Sequence, residues 1–186
     1  MRSVFQIILI LVAVTLISSC SKSFLEQSNP NAVSVTDNFQ TESDIALAVN
    51  GVYQALRSSN CIGEGSVTWT DDRADDVNST DNQSNNGEPF QFTSFSLVPG
   101  NTYLQSHWTA LYAPVSRANL VLSVIGKIKF ASEDTRSQYI AESKFLRALM
   151  YFHLVREFGD VPLVTAPLSS PDEVPKITSR EPKPNV

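Results

Sequence analysis

The sequence predicts an all-α fold, a layered helical array with long irregular loops. Apolar residues recur at steps of three and four in three segments, at 41–57, 103–127 and 133–158, and this period is that of an α-helix. The residues between the first two segments are polar and follow no sustained period. A length of 186 residues with 42% apolar content suits one globular domain of ordinary size.

The first helix is predicted over 41–57. Four apolar residues step by four, three and four and therefore share one face: Ile45, Val49, Val52 and Leu56. Thr41 suits the position before the helix, and Asp44 lies in the first turn, where a carboxylate is favourable. Gly51 lies inside the helix and costs about 1 kcal/mol relative to Ala. A close contact with another helix would explain that cost.

The segment 58–101 is the least regular part of the chain and is rich in Ser, Asn, Asp and Gly. Phe90, Phe92 and Phe95 are separated by polar residues, a pattern that predicts short extended pieces between loops. Long loops without secondary structure are uncommon in compact domains and are often functional. Contacts with a ligand are therefore expected in this segment.

The second helix is predicted over 103–127. Its buried stripe is predicted to consist of Trp108, Leu111, Tyr112, Val115, Leu122 and Ile125. Pro114 lies in the interior of this helix and lacks a backbone N–H, so it is expected to kink the helix or to open one turn.

The third helix is predicted between Ser132, which suits its N-cap, and Gly159, which suits its C-terminal end. Pro162 then prevents the helix from resuming. One apolar set shares a face: Ala141, Phe145, Ala148, Phe152 and Val155. A second set covers much of the opposite side: Leu146, Leu149, Met150 and Leu154. The helix is therefore expected to be buried on at least two sides.

The two ends of the chain differ from its helical middle. Residues 1–19 combine the basic Arg2 with an apolar run that is too short to span a membrane, the proportions of an export signal. Residues 20–40 are polar, show no period and are predicted to form a tether. Residues 166–186 contain five prolines with charges between them, so this tail is predicted to form neither a helix nor a central strand.

Cys20 and Cys61 are the two cysteines, and their number alone would allow a disulfide bond. The sequence Ile-Ser-Ser-Cys at 17–20 resembles instead the lipobox of bacterial lipoproteins, whose cysteine is acylated and becomes the mature N-terminus. Several acyl chains anchor a protein far more firmly than one. Cys20 is therefore the predicted lipidation site, which leaves Cys61 a free thiol. The alternative is an ordinary signal peptide followed by an incidental cysteine.

Charge and motif content argue against several functions. A formal net charge of −5 argues against nucleic acid and anionic lipid as partners. It gives no argument for or against binding of uncharged sugars. The chain has no Gly-rich phosphate loop, nucleophile elbow or paired catalytic carboxylates, and His107 and His153 stand in no ligand spacing. Glu142 and Arg147 lie near apolar positions of the third helix and are expected to have structural partners. We therefore expect no enzymatic activity and no cofactor.

The densest polar cluster lies at 71–81. Asp76, Asn78 and Thr80 imitate the first ligands of a calcium loop. The sixth and twelfth positions of that loop would need Gly and Glu, and neither is present. A solvated loop is the better interpretation, so no metal site is predicted.

Several stretches of the chain match a known pattern. They are Ala-Glu-Ser-Lys-Phe-Leu-Arg-Ala at 141–148, Phe-Gly-Asp-Val-Pro-Leu-Val at 158–164, Ala-Val-Asn-Gly-Val-Tyr-Gln-Ala-Leu at 48–56, His-Trp-Thr-Ala-Leu-Tyr at 107–112 and Arg-Ala-Asn at 117–119. Together they resemble the SusD/RagB family of nutrient-binding outer-membrane lipoproteins. A generic buried helix would explain the periodicity at 141–148 but not the sequence that follows it.

The resemblance implies a tetratricopeptide-like helical array in which the second and third helices form an antiparallel hairpin. It also implies four parts, a lipoprotein signal peptide (1–19), a lipidated tether (20–40), a SusD-like N-terminal helical domain (41–165) and a Pro-rich tail (166–186). The resemblance covers nearly all of this chain but only the beginning of a typical member. The helical array is therefore expected to be incomplete.

The resemblance further implies a lipoprotein anchored through Cys20 on the extracellular face of the outer membrane. Such a protein captures a glycan or other oligomeric nutrient and delivers it to a SusC-like TonB-dependent outer-membrane transporter. Family members that bind glycans often use an aromatic platform, because a flat ring matches the apolar face of a sugar. The candidates for ligand contacts here are Trp69, Asp72, Arg73 and Asn78, although Trp69 equally suits a core position.

Other functions stay open at this point. The chain could be a structural lid or docking component of the transporter complex, with no ligand contacts of its own. It could also be a surface hydrolase, which cleavage of a polysaccharide by the purified chain would reveal. A third alternative is that the chain has no function by itself, because without its helical partners it would expose apolar faces that invite aggregation.

Overall fold

Three long helices carry the part of the chain that the computed structural model describes, which comprises residues 38–63, 65–74, 77, 84–168 and 179–186. The α-helices of this part are α1 (Glu42–Leu56), α2 (Ser66–Trp69), α3 (Phe90–Thr93), α4 (Thr102–Val124) and α5 (Glu133–Phe158). Short 3-10 turns occur at Asp71–Arg73, Ser84–Gly87, Ile125–Lys127 and Lys183–Asn185. The predicted signal peptide, tether and lipidation site Cys20 lie outside the described residues.

The start of α1 agrees with the sequence. Thr41 Oγ1 accepts a hydrogen bond from the Asp44 N–H at 3.3 Å, and Asp44 Oδ2 accepts one from the Thr41 N–H at 2.8 Å. This reciprocal pair satisfies N–H groups that the first turn cannot pair internally. The N–H of Gln40 also donates to Asp44, and this bond together with those from Thr41 lowers the pKa of Asp44. The helix ends at Leu56, one residue earlier than predicted.

The helices α4 and α5 run antiparallel. His107 near the start of α4 contacts Glu157 near the end of α5, and Asn119 contacts Arg147. Helix α1 packs against both, and the residues of the shared core include Ile45, Val49, Val52, Leu111, Val115, Val121, Leu146, Met150 and Leu154. Among the described residues all regular elements are helical except for one isolated bridge between Val161 and Glu181. The all-α prediction and the antiparallel hairpin are confirmed.

One prediction about α5 is wrong. The side that carries Leu146, Met150 and Leu154 is buried, whereas Phe145 is 65% exposed and Phe152 is 53% exposed on the other side. Ala141 and Ala148 on that side are also exposed. The periodicity shows two apolar stripes, but among the described elements α1 and α4 are the long helices that pack on α5, and both lie on the side of Leu146. One apolar face of α5 therefore meets solvent.

The segment after α5, residues 160–165, is held against the helices by side chains, and we call it the strap. Tyr112 donates to the Pro162 carbonyl at 2.8 Å, and Asn119 Nδ2 donates to the Val164 carbonyl at 2.8 Å. The Tyr151 hydroxyl donates to that same carbonyl at 2.9 Å and accepts from the Val164 N–H at 2.6 Å. Gly159 makes the turn into the strap with a positive φ of 72°, which glycine tolerates.

Charged residues of α5 have the structural partners that were predicted. Arg147 donates to Asn119 Oδ1 at 2.7 Å and to the Thr165 carbonyl at 3.1 Å. Glu142 accepts from Tyr53 on α1 at 3.2 Å and from Gln138 at 2.8 Å. Each therefore links α5 to another part of the fold or to its own preceding turn.

The end of the chain returns to the strap. The Glu181 N–H donates to the Val161 carbonyl at 3.0 Å, and the Lys183 N–H donates to Asp160 Oδ1 at 2.8 Å. The Arg180 guanidinium lies 5.9 Å from the centre of the Trp108 ring. The described part of the tail, 179–186, thus packs on the body through single bonds and forms neither an α-helix nor a central strand, as predicted.

Other local expectations are corrected by the structure. The predicted extended piece at Phe90 and Phe92 is a helical turn, because an isolated extended segment would leave its backbone unpaired whereas a turn bonds internally. Helix α4 continues through Pro114. A Cβ atom placed at Gly51 would meet nothing within 4 Å, so no close helix contact accounts for this glycine. Within the described residues, the helices lack the combination of length and apolar character that crossing a membrane requires.

Substitution by alanine should affect stability differently on the two sides of α5. Leu146→Ala removes buried apolar contacts and should lower the free energy of unfolding by about 3 kcal/mol. Phe145→Ala, one residue away but exposed, should stay within about 0.5 kcal/mol of wild type. Urea unfolding followed by circular dichroism measures both. An equal loss in the two variants would contradict the exposed face.

Buried polar residues of α4 and α5 also differ in their expected contributions to the free energy of unfolding. Asn119→Ala leaves the Val164 carbonyl and the Arg147 guanidinium without this partner and should lower the free energy of unfolding by about 2 kcal/mol. Ser143 is equally buried, but its hydroxyl has no hydrogen-bond partner among the described residues. Ser143→Ala is the matched control and should leave the midpoint of urea unfolding unchanged or raise it. A loss in this variant as large as in Asn119→Ala would contradict the assignment.

Candidate functional site

The structure places only part of the sequence-predicted site. Asp72 and Arg73 lie on the 3-10 turn Asp71–Arg73, where Asp72 is half-buried and Arg73 is exposed. Burial, with a smaller contribution from Asp71, raises the pKa of Asp72. Trp69 ends α2, but its side chain and the whole of Asn78 lie outside what the structure describes. These four residues stay a prediction.

A more prominent feature of the same region is Phe95. Its ring is 74% exposed, and its backbone has a positive φ of 54°. A bulky residue rarely adopts this left-handed conformation, which costs on the order of 1 kcal/mol or more and is often kept at functional sites. Sequence reasoning missed it, because alternation with polar residues suggested a strand and no local pattern predicts a left-handed phenylalanine.

The segment 94–98, which we call the Phe95 loop, is held in place by hydrogen bonds. The Ser96 N–H donates to the Gln91 carbonyl at 3.0 Å, and Ser94 Oγ donates to the Phe90 carbonyl at 2.8 Å. The Gln91 side chain accepts from the Val98 N–H at 3.4 Å. The backbone that carries the exposed Phe95 side chain therefore has little conformational freedom left to lose on binding.

The Phe95 loop is tied to the start of α4. Buried Asn101 caps this helix by accepting from the Leu104 N–H at 3.0 Å, and its amide donates to Gln91 Oε1 at 3.0 Å. Glu88 accepts from the Thr102 N–H at 3.1 Å and from the Thr102 hydroxyl. The helix therefore fixes the position of the loop.

A shallow polar groove begins at this same end of α4. Its cavity has a volume of about 420 Å³ and is lined by Asn60, Thr102, Gln105, Ser106, Thr109, Ala110 and Ala113. We call it the α4 groove. Hydroxyl and amide groups donate and accept hydrogen bonds, as the hydroxyls of a sugar do. The sequence signal, small polar residues three or four apart on one helix face, was present but is common on any exposed helix.

His107 lies within α4 and is buried between this helix, α5 and the loop after α1. It is 2% exposed, and its Nδ1 donates to the Asn60 carbonyl at 2.6 Å while its Nε2 lies 2.5 Å from Glu157 Oε2. Both ring nitrogens therefore contact partners within the fold, one in the loop after α1 and one on α5. His153 Nδ1 lies 3.6 Å from the other oxygen of Glu157. The described residues contain no group of His, Cys, Asp and Glu side chains that could hold a metal ion.

Cys61 is a free thiol at the centre of the core. It is fully buried, and its Sγ lies 3.7 Å from the Met150 sulfur. Burial is the main cause that raises the pKa of the Cys61 thiol. Thiolate is the reactive form of cysteine, so this environment suppresses its reactivity.

The family model of SusD-like proteins described as "Starch-binding associating with outer membrane" matches residues 23–181. The chain is similar to SusD-like protein P25 of Formosa agariphila, with 32% identity over 167 residues that make up 86% of this chain and 32% of that protein. SusD-like protein P2 of the same species is 28% identical over 174 residues, 94% of this chain and 34% of that protein. The chain spans about a third of the length of these relatives.

Solved structures show the same fold. A SusD superfamily protein from Bacteroides vulgatus superposes with a TM-score of 0.68 at 24% identity, over 77% of this chain and 31% of that one. A SusD homologue from Bacteroides thetaiotaomicron gives a TM-score of 0.68 at 24% identity, over 83% of this chain and 29% of that one. The tetratricopeptide-like helical array expected from the sequence is confirmed.

The burial of Cys61 predicts slow chemical modification. In a Cys20→Ser chain, where Cys61 is the thiol that reacts, labelling by iodoacetamide at pH 8 should be at least about 100-fold slower than in the urea-unfolded chain. The raised pKa acts in the same direction, because it lowers the thiolate fraction at this pH. Mass spectrometry of the labelled protein measures the rate. Equal rates in native and unfolded protein would contradict the buried position.

Proposed function

The chain belongs to the SusD-like family, as its sequence led us to expect, and we propose that it is a glycan- or nutrient-binding lipoprotein of the outer membrane. It delivers its ligand to a SusC-like TonB-dependent transporter. The observation that carries this function is the match of residues 23–181 to a family described as starch-binding and associating with the outer membrane. Because the chain spans about a third of the curated relatives, the ligand and the transporter are assigned to the whole protein.

The geometry of the loop region supports binding of a saccharide. Phe95 offers an exposed ring on a fixed loop, and the α4 groove that begins beside this loop offers hydroxyl and amide groups. An aromatic ring covers the apolar face of a sugar, and neighbouring polar groups pair with its hydroxyls. Trp69, Asp72, Arg73 and Asn78 belong to the same irregular region and are retained as proposed contacts.

The expected membrane anchor also belongs to this function. The leader of 1–19 and the small residues before Cys20 support lipidation of that cysteine, with the folded body on the extracellular face of the outer membrane. Binding without bond chemistry requires no catalytic residue. His107 and Cys61 are both buried, so neither the ring nor the thiol is open to a substrate, which supports such a role over that of a hydrolase.

The exposed face of α5 favours a second candidate function, a structural lid or docking component of the transporter complex. Phe145 and Phe152 alternate with Ala141 and Ala148 on this face, which gives a row of large and small apolar side chains. A face of this kind suits contact with another helix or with a protein surface. In this case the chain would associate with the transporter and make no ligand contacts of its own.

Removal of the Phe95 ring tests the glycan-binding function. Phe95→Ala should weaken binding of the purified chain to a polysaccharide by about tenfold, because the stacking surface is lost. Phe95→Tyr keeps the ring and should bind as wild type does. Affinity electrophoresis in gels that contain amylopectin, xylan or galactomannan measures the retardation of each variant.

Phe152→Ala is the matched control, since Phe152 is also exposed but lies on α5. It should be retarded as strongly as wild type. If the wild-type chain is retarded by no polysaccharide but is co-purified with the transporter, the docking function is correct and the binding function is wrong for this part of the protein. Equal retardation of wild type and Phe95→Ala would exclude Phe95 as a ligand contact but would leave the glycan-binding function standing.

A further inference from the structure

Two arginines that are distant in sequence line one cleft. Arg57 follows the last turn of α1, and Arg117 lies on α4. The cleft between them has a volume of about 520 Å³ and is completed by Gln54, Ala55 and Ser58. We call it the arginine cleft. Its size falls within the roughly 300–1,000 Å³ of small-molecule sites.

The position of Arg117 is fixed by the backbone of α1. Its Nη1 donates to the Gly51 carbonyl at 2.5 Å. A guanidinium has several N–H donors, so one such bond orients the group and leaves others for a ligand. Arg57 borders the cleft from the opposite element, and it also lines a second cavity of about 510 Å³ together with Leu56, Ser59, Ile62 and Gly63.

Within the part of the chain that the structure describes, the charge of the cleft is not balanced by acids. No acidic residue of this part lines the cleft, and neither arginine forms a salt bridge in it. The C-terminal end of a helix such as α1 carries roughly half a negative charge, which compensates only part of two guanidinium charges. Two guanidinium groups without an acidic partner among the described residues therefore share one cleft, in a chain whose formal net charge is −5.

We propose that the arginine cleft binds an acidic saccharide through the carboxylate of a uronic acid or through a sulfate ester. Guanidinium groups bind both kinds of oxyanion with paired hydrogen bonds. Gln54 and Ser58 supply neutral polar groups for the hydroxyls of the same sugar. This site rests on the proposed glycan-binding function and narrows its ligand class from any glycan to an anionic one.

Biolayer interferometry with the full chain tests the site at physiological salt. The probes are polygalacturonate for the carboxylate, dextran sulfate for the sulfate ester and amylopectin as the neutral polymer. Whichever polyanion the wild-type chain binds, polygalacturonate or dextran sulfate, Arg57→Gln and Arg117→Gln should each weaken its binding by about tenfold. The double variant should weaken the same binding further. Binding of amylopectin should not change.

Arg156→Gln is the matched control, because it removes the same charge from an exposed position on α5. It should bind the polyanion within about twofold of wild type, since long-range charge effects are screened at this salt concentration. An equal loss in Arg156→Gln would show attraction by total charge and would overturn the site. Circular dichroism of each variant confirms that the helices are intact.

The remaining outcomes distinguish a failure of the arginine cleft as a binding site from a failure of the proposed glycan-binding function. Binding of amylopectin but of neither polyanion by the wild-type chain would overturn the cleft and keep the glycan-binding function. Binding of none of the three polymers would overturn both for this part of the protein. Unchanged polyanion binding by the double variant would also exclude the cleft.

Discussion

The strap that follows α5 imposes the constraint on which the helical arrangement depends. Its backbone lies against α4 and α5, and within the described residues it makes one backbone hydrogen bond to another extended segment, so its other polar groups need side-chain partners. Tyr112 and Asn119 on α4 and Tyr151 on α5 supply them. Burial raises the pKa values of both tyrosines, which keeps their hydroxyls protonated as donors well into alkaline pH. The two helices must therefore keep one spacing and one rotation, and the position of the groove on α4 follows from it.

A second buried contact fixes the opposite end of the helix pair. His107 joins α4 to Glu157 on α5 and to the Asn60 carbonyl in the loop after α1. Asn60 also lines the α4 groove. The buried contacts of His107 and the α4 groove thus meet at Asn60, whose position is held by the fold.

The exposed surfaces divide into two kinds. The Phe95 loop and the arginine cleft combine one ring or two cations with polar neighbours, which suits a small polar ligand such as a sugar. The row of Phe145 and Phe152 on α5 is a larger apolar surface, which suits a protein contact. The relatives from Formosa agariphila are about three times as long as this chain. Because the two kinds of surface lie on different elements, the proposed ligand binding and the proposed protein contact can be tested by separate substitutions.

The three long helices could be predicted from local signals in the sequence, with the ends of α1 and α5 correct to within one residue. The steps of three and four, the Thr41–Asp44 cap and Gly159 are local signals, and local hydrogen bonds enforce them. The same residues carried the family resemblance. Tertiary structure alone decided which stripe of α5 is buried, because two apolar stripes do not say which neighbours are present. It also decided the left-handed backbone conformation of Phe95. Arg57 and Arg117 share a cleft through the packing of α1 on α4, and contacts between distant elements leave no local period in the sequence.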